Sequence, residues 1–320
     1  MTLDEIYAPV KDDLVLVENK LAVIARHDIP LLSKLLEYAL INGGKRVRPA
    51  LTLLCGKFYR YDLDVLIPMA VSVELLHIGT LVHDDIIDNS PLRHGKSTVS
   101  RTWGSNSALL LGDYLFARAG KLAATTENMR VIRGFAETLM TISGGELREA
   151  GTSFDMTDAK ENYYKWINDK TASLFMMAAE CGSTLSGCPE EQIQALKEYA
   201  RNFGLAFQVI DDILDFVGDS SKMGKPVGSD LSEGAITLPS IIFAEKYPGN
   251  RIIQRIILEK DKSLVAEAVE KIRSSSVIDE CRDIARNYYD NAYLSLKKLP
   301  DCEARKSLEA LVDFVIKRNR

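Results

Sequence analysis

The sequence predicts an all-α protein, and three observations carry that prediction. Apolar residues recur at three- and four-residue steps along most of the chain, alternation with period two is scarce, and the breaks between periodic segments are short. Leu14–His27 and Pro30–Ile41 are the first two expected helices, closed by the turn Asn42-Gly43-Gly44. In Val71–Ile87 the residues Val71, Leu75, Ile78, Val82 and Ile86 fall on one helical stripe, which ends at Asn89-Ser90-Pro91. Helices follow over Ala108–Thr125, Val131–Ala150 and Glu161–Ser183, the last closed by Ser186-Gly187-Cys188-Pro189. Tyr199–Phe216 carries Ala200, Phe203, Ala206, Phe207, Ile210 and Leu214 at helical spacing. Leu238–Glu245, Ser263–Ser274, Ser276–Leu296 and Ala304–Lys317 complete the series, with the turn Lys246-Tyr247-Pro248-Gly249-Asn250 after the first of them. With no long linker or low-complexity tract, the expectation is one domain over residues 1–320, a large bundle of about a dozen helices around a central apolar cavity.

The composition is 46% hydrophobic and 27% charged with a net charge of −5. That is enough apolar matter for a sizeable core, and an acidic balance argues against nucleic acid as the main partner. An anionic ligand must therefore be held by local bases or by metal. The five cysteines, Cys55, Cys181, Cys188, Cys281 and Cys302, are scattered and form no CxxC, which fits reduced thiols and a cytoplasmic setting. The opening residues show no apolar signal-peptide core. No run is expected to reach the ~20 apolar residues of a membrane span.

One pattern occurs twice. Asp-Asp-Ile-x-Asp stands at Asp84, Asp85 and Asp88, and again at Asp211, Asp212 and Asp215, each time closing an apolar helical segment. On a helix, positions three and four apart are neighbours, so each set is expected to converge. Three carboxylates at a helix C-terminus oppose one another and the macrodipole. Local stability does not explain them, so the missing contribution is positive charge. Carboxylates without Cys or His suit a hard divalent cation, Mg2+ above all, shared with substrate phosphates. An EF-hand is excluded, because the alternating ligands, the central Gly and the closing Glu are absent.

A basic turn complements them. After Gly43-Gly44 come Lys45, Arg46 and Arg48, and a second basic turn, Arg93-His94-Gly95-Lys96, follows the first acidic set. Guanidinium forks suit phosphate oxygens and lysine acts as a point charge. Metal on one diphosphate, a Lys/Arg set on another and apolar helix walls between them describe a site for two diphosphates with hydrocarbon tails.

These residues resemble the trans-isoprenyl diphosphate synthases, or polyprenyl synthetases, over nearly the whole chain. The resemblance rests on Gly43-Gly44-Lys45-Arg46-Val47-Arg48-Pro49, Glu74-Leu75-Leu76-His77, His83–Ser90 with Arg93, Lys170-Thr171, Phe207-Gln208, Asp211–Asp215 and Gly224–Leu231. It implies head-to-tail condensation of isopentenyl diphosphate with an allylic diphosphate by ionisation, condensation and elimination. It further implies three Mg2+ ions and a homodimer. Asp84, Asp88 and Asp211 would be the main Mg2+ ligands, supported by Asp85, Asp212 and Asp215. Lys45, Arg48 and His77 would hold isopentenyl diphosphate, with Arg46 in the same basic turn. Arg93, Lys170 and Lys225 would bind the allylic diphosphate, and Thr171 and Gln208 would face the developing carbocation.

Two positions depart from the family's pattern. His94 stands where a second arginine is usual, and Ala235 where a lysine is usual. The resemblance also implies a chain-length floor four or five residues before the first Asp. Here those positions are Thr80 and Gly79, with Leu76 a turn deeper. Small residues there suggest a deep pocket and a product of geranylgeranyl diphosphate or longer. Farnesyl diphosphate synthase, class I terpene cyclase, a helical metal phosphohydrolase using His77 and His83, and a non-catalytic regulatory subunit are the competing readings.

Overall fold

The computed structural model describes residues 1–41, 44–93, 95–218 and 227–317. The sequence expectations for Gly43, His94, Gly224, Lys225, Pro226 and residues 318–320 lie outside the described residues. Among the described residues the helices are joined by short turns, and the strands seen form one antiparallel hairpin that pairs Leu92 with Ser97 and Arg93 with Lys96. The chain packs as two compact units, one of Met1–Met140, Leu174–Ala200 and Tyr293–Phe314, the other of Thr141–Ser173, Arg201–Ala292 and Val315–Arg320.

The first unit is built on the helix Leu63–Ile87, which packs against Ser105–Ala124 and Val47–Gly56. From Leu66 to Leu76 every residue of it is buried, the environment of a helix apolar on all sides. The sequence reading starts this helix at Val71, but it begins at Leu63, with Asp62 capping the Asp64 amide, and runs through Pro68. A proline inside a helix costs about 3 kcal/mol. Leu66, Ile67 and Met69 are at most 8% exposed, and burial contributes about 1.5–3 kcal/mol for each such side chain. Burial wins, and the helix continues through the proline. Its length and composition would also suit a membrane span, against the sequence expectation, but 78% of its most apolar window is buried inside the protein. It is a core helix.

In the second unit the sequence reading of one helix over Glu161–Ser183 resolves into Ala159–Ile167, a π-helical turn Asn168–Ala172, and Ser173 opening Ser173–Leu185. The wide turn admits an extra residue and re-aims Lys170 and Thr171, a common device at functional positions. Phe203, Phe216, Tyr163, Ile167, Ile253 and Ile272 are among its enclosed side chains. All five cysteines are free, and four are buried.

Candidate functional site

In the first unit, the Asp-Asp-x-x-Asp set closes the Leu63–Ile87 helix, with Asp88 as its C-cap. The three carboxylates do not converge as the sequence suggests. Successive residues on a helix diverge by about 100°, so Asp85 points away from Asp84. Asp85 is 5% exposed and accepts a hydrogen bond from Arg93 Nε at 2.7 Å. Asp84 is half-buried and Asp88 exposed. His83 is committed elsewhere: its Nε2 lies 3.0 Å from the Leu109 carbonyl and its ring meets Phe116 edge-on. That removes one of the two histidines of the phosphohydrolase reading.

The basic turn divides its three cations. Arg46 adopts a left-handed conformation, φ 46°. Its guanidinium binds Glu18 at 2.5 and 3.2 Å, Glu74 at 2.7 Å and the Leu40 carbonyl at 2.8 Å. At 9% exposure its donors are spent on protein. The expectation of Arg46 as a phosphate ligand is therefore corrected: it pins the turn. Lys45 is exposed, with its ammonium 5.7 Å from the Phe314 ring centre, and its backbone carbonyl accepts from the buried Tyr7 hydroxyl at 3.0 Å. Arg48 lies over the Phe175 ring at 4.3 Å and donates to His77 Nε2 at 3.0 Å. A guanidinium only donates, so the His77 ring accepts at Nε2 and carries its proton on Nδ1. Lys45, Arg48 and His77 thus stand on one short stretch and the helix beside it.

The chain-length positions are corrected in part. Leu76 is fully enclosed and lines no open space. Gly79 leaves no hole, because a Cβ there would lie 2.7 Å from Phe116 Cε1 on the neighbouring helix. Phe116 fills the room that the glycine gives up. Thr80 is half-buried, with its hydroxyl turned back to the His77 carbonyl at 2.7 Å.

In the second unit, Asp211 is half-buried while Asp212 and Asp215 are each 1% exposed. Asp215 accepts from the Ser229 hydroxyl at 2.8 Å and the Asp230 amide at 3.3 Å, which ties down the turn entering Ser229–Glu233. Asp212 accepts from the Tyr163 hydroxyl at 2.5 Å and the Gln208 amide at 2.9 Å. Burial pushes the Asp212 carboxyl well above the usual carboxylate range, with Asp230 and Asp211 adding to the rise and the two donors opposing it. Gln208 in turn accepts from the Thr171 hydroxyl at 2.7 Å, so two residues 37 apart in sequence are brought together. Lys170 sits between Glu146 at 2.8 Å and Glu149 at 2.7 Å. Gly145 allows that approach, since a Cβ there would lie 3.0 Å from the Lys170 backbone nitrogen. Ala235 borders a small open cleft with Glu149, Asn162 and Trp166. Gly234 beside it, at φ +90°, lies against the Phe154 ring, whose opposite partner is the Lys260 ammonium at 4.9 Å.

Tyr163, Glu146, Glu149 and Ser229 were missed in the sequence. Glu146 and Glu149 are three apart on a helix, so their shared face was readable, but their lysine partner is remote. Tyr163, in the run Asn162-Tyr163-Tyr164, carries no local signal. Among the described residues, no three His, Cys, Asp or Glu side chains lie close enough to enclose a metal ion. Within each unit taken by itself, the half-buried Asp84 and exposed Asp88 of the first and the half-buried Asp211 of the second are donors of the type that a hard cation takes together with water or a phosphate ester. The residues present fit such an ion.

A family model described as polyprenyl synthetase matches residues 29–273. The heptaprenyl diphosphate synthase component 2 of Bacillus subtilis is 33% identical, covering 98% of this chain and 90% of that protein. The octaprenyl diphosphate synthase of Escherichia coli is 32% identical over the whole of both chains. The crystal structure of a polyprenyl synthase from Caulobacter crescentus, complexed with calcium and isoprenyl diphosphate, superposes with a TM-score of 0.94 at 33% identity, covering 100% of this chain and 98% of that one.

Proposed function

The chain belongs to the polyprenyl synthetase family, and from that premise we propose that it elongates an allylic diphosphate with isopentenyl diphosphate, to geranylgeranyl diphosphate or longer. One observation carries the assignment of its site: in each aspartate motif the second carboxylate is buried and held by protein donors, Asp85 by Arg93 and Asp212 by Tyr163 and Gln208. Buried, protein-held carboxylates of this kind fix the pose of the neighbouring ligands of a metal-bridged phosphate ester.

In this reading Asp84, Asp88 and Asp211 hold Mg2+, three ions by the family's count, and Asp85, Asp212 and Asp215 support them. When bound, Mg2+ supplies positive charge that makes the allylic diphosphate a leaving group. Arg48 and Lys45 grip the diphosphate of isopentenyl diphosphate, with His77 setting the pose of Arg48. Arg93, Lys225 and Lys170 take the allylic diphosphate, and Lys170 exchanges Glu146 and Glu149 for phosphate oxygens as it does so. The allylic C–O bond breaks, the double bond of isopentenyl diphosphate attacks the resulting cation, and a proton leaves to the departing diphosphate. Thr171 and Gln208 present oxygen dipoles to that cation, and apolar walls keep water away.

Relatives named for heptaprenyl and octaprenyl products support a long product. A homodimer in the cytoplasm goes with this reading. The words component 2 in the Bacillus subtilis relative's name favour a second reading, in which a different subunit is required for activity.

The test incubates the pure chain with isopentenyl diphosphate, an allylic starter and Mg2+, and separates the products by length. Elongated all-trans diphosphates are expected. No product from the chain alone, with activity appearing on adding a cell extract, would support the two-subunit reading. A cyclised hydrocarbon, or inorganic phosphate without condensation, would overturn the proposal.

A further inference from the structure

Four side chains of the second unit form a hydrogen-bonded series. Thr171 Oγ1 donates to Gln208 Oε1 at 2.7 Å, Gln208 Nε2 donates to Asp212 Oδ1 at 2.9 Å, and Tyr163 Oη donates to Asp212 Oδ2 at 2.5 Å. Both oxygens of Asp212 face a donor, the Gln208 NH2 group on Oδ1 and the Tyr163 hydroxyl on Oδ2. The amide that gives its NH2 group to Asp212 has only its carbonyl oxygen left for Thr171. Thr171 must then donate, which turns its hydroxyl hydrogen toward Gln208 and leaves its lone pairs facing elsewhere.

We infer that Tyr163 is a positioning residue for prenyl transfer: through Asp212 and Gln208 it holds Thr171 with oxygen lone pairs, not hydrogen, toward the allylic cation. This rests on the reading above in which Thr171 faces that cation. Orientation matters because a dipole helps or hinders a developing charge according to which end it presents, and a pre-set dipole requires no reorganisation at the moment of reaction. An amide is nearly symmetric in shape, so only its partners decide which end faces Thr171. Asp212 is 1% exposed, and Tyr163 is 2% exposed, so solvent has almost no access to replace the phenol. Without that hydroxyl nothing on the Oδ2 side fixes the rotation of the Asp212 carboxyl group, and Oδ1 is no longer held against the Gln208 NH2 group. The Tyr163 side chain belongs to no acid, base or phosphate-binding set, and its ring packs edge-on against Tyr164 at 5.4 Å and Trp166 at 5.8 Å.

Tyr163→Phe keeps that ring and removes only the hydroxyl. In the full-length enzyme, kcat is expected to fall on the order of 10- to 100-fold, less than the roughly 10²- to 10³-fold of removing a dipole that itself faces the charge. KM for both diphosphates, the Mg2+ half-saturation and the affinity for an inert allylic thiolodiphosphate are expected to stay within about two-fold, since ground-state binding is untouched. Tyr163 acts through Thr171, so adding Tyr163→Phe to Thr171→Val should slow the enzyme no further than Thr171→Val alone. Unchanged kcat in Tyr163→Phe overturns the inference. So do effects that multiply in the double variant, or a loss that shows only in Mg2+ dependence or analogue affinity. If circular dichroism shows Tyr163→Phe unfolded, Gln208→Leu cuts the same series beyond Asp212 and should give the same loss of kcat at unchanged analogue affinity. Full kcat in that variant refutes the orientation argument. The parent reading fails differently: wild type makes no elongated product, or Thr171→Val keeps full kcat.

Discussion

Arg46→Met separates a phosphate-binding residue from a structural one. Arg46 and Glu74 are 9% and 6% exposed at the side chain and lie 2.7 Å apart. Removing the cation leaves Glu74 charged and enclosed, and strips the Leu40 carbonyl of its 2.8 Å donor. Breaking one side of such a buried pair costs about 3–5 kcal/mol. The contact with Glu18 adds little, because that carboxylate is 47% exposed and screened by water. At about 2–4 °C per kcal/mol for a chain of this class, the melting midpoint should fall by roughly 10 °C. The substitution Glu74→Met, added to Arg46→Met, replaces the pair with apolar groups and should restore most of the loss, since such swaps are often neutral. Thermal melting of the two variants beside wild type reads the stability. Steady-state kinetics on each folded variant read KM for isopentenyl diphosphate, expected to stay within about three-fold. A single variant that melts within a degree or two of wild type while KM rises more than about ten-fold would show that the guanidinium binds substrate and that its role as a pin is wrong.

Asp84→Ala and Asp211→Ala should each lower kcat by roughly 10³-fold, the scale of losing metal stabilisation at a leaving group, with circular dichroism unchanged; a folded variant with near-normal turnover refutes their role. Gly79→Ala should destabilise the first unit by about 1–3 kcal/mol, because the new Cβ meets Phe116 at 2.7 Å, and Phe116→Leu in the same chain should relieve it; a thermal melt decides. Acid lability should carry a signature of Glu190, whose carboxyl is held down to about 2 by the Arg130 guanidinium and by Gln194. Its folded value lies below its unfolded one, so its contribution is present above about pH 4.5 and lost as pH falls toward 2. Glu190→Gln should flatten the decline of melting temperature over that interval; an unaltered slope would mean the contact is absent in solution.

Some of this was readable because it is local. Helical class follows from periodicity, and the helices Pro30–Leu40, Ser105–Ala124 and Val277–Leu296 fall within a few residues of where the pattern places them. The acidic motifs and the basic turn are contiguous strings, so their place at helix ends and their chemistry could be named from spacing. The helices Val47–Gly56 and Ile252–Leu258 escaped notice because short apolar runs lack a periodic polar face.

The partners that the members of each set take were decided by tertiary structure. Arg46 and Arg48 are nearly identical in the sequence, yet one is consumed by Glu18 and Glu74, the latter 28 residues away, while the other lies over Phe175 beside His77. Asp85 is tied to Arg93 across the turn that follows the helix. Gly79 reads as a hole until Phe116 of another helix is seen to fill it. Tyr163 acquires meaning from Asp212, 49 residues on. The physical reason is common to all four. A side chain's charge and size are properties of the residue, but its partner is chosen by the packing of distant helices, where burial makes an unmatched group too costly to leave.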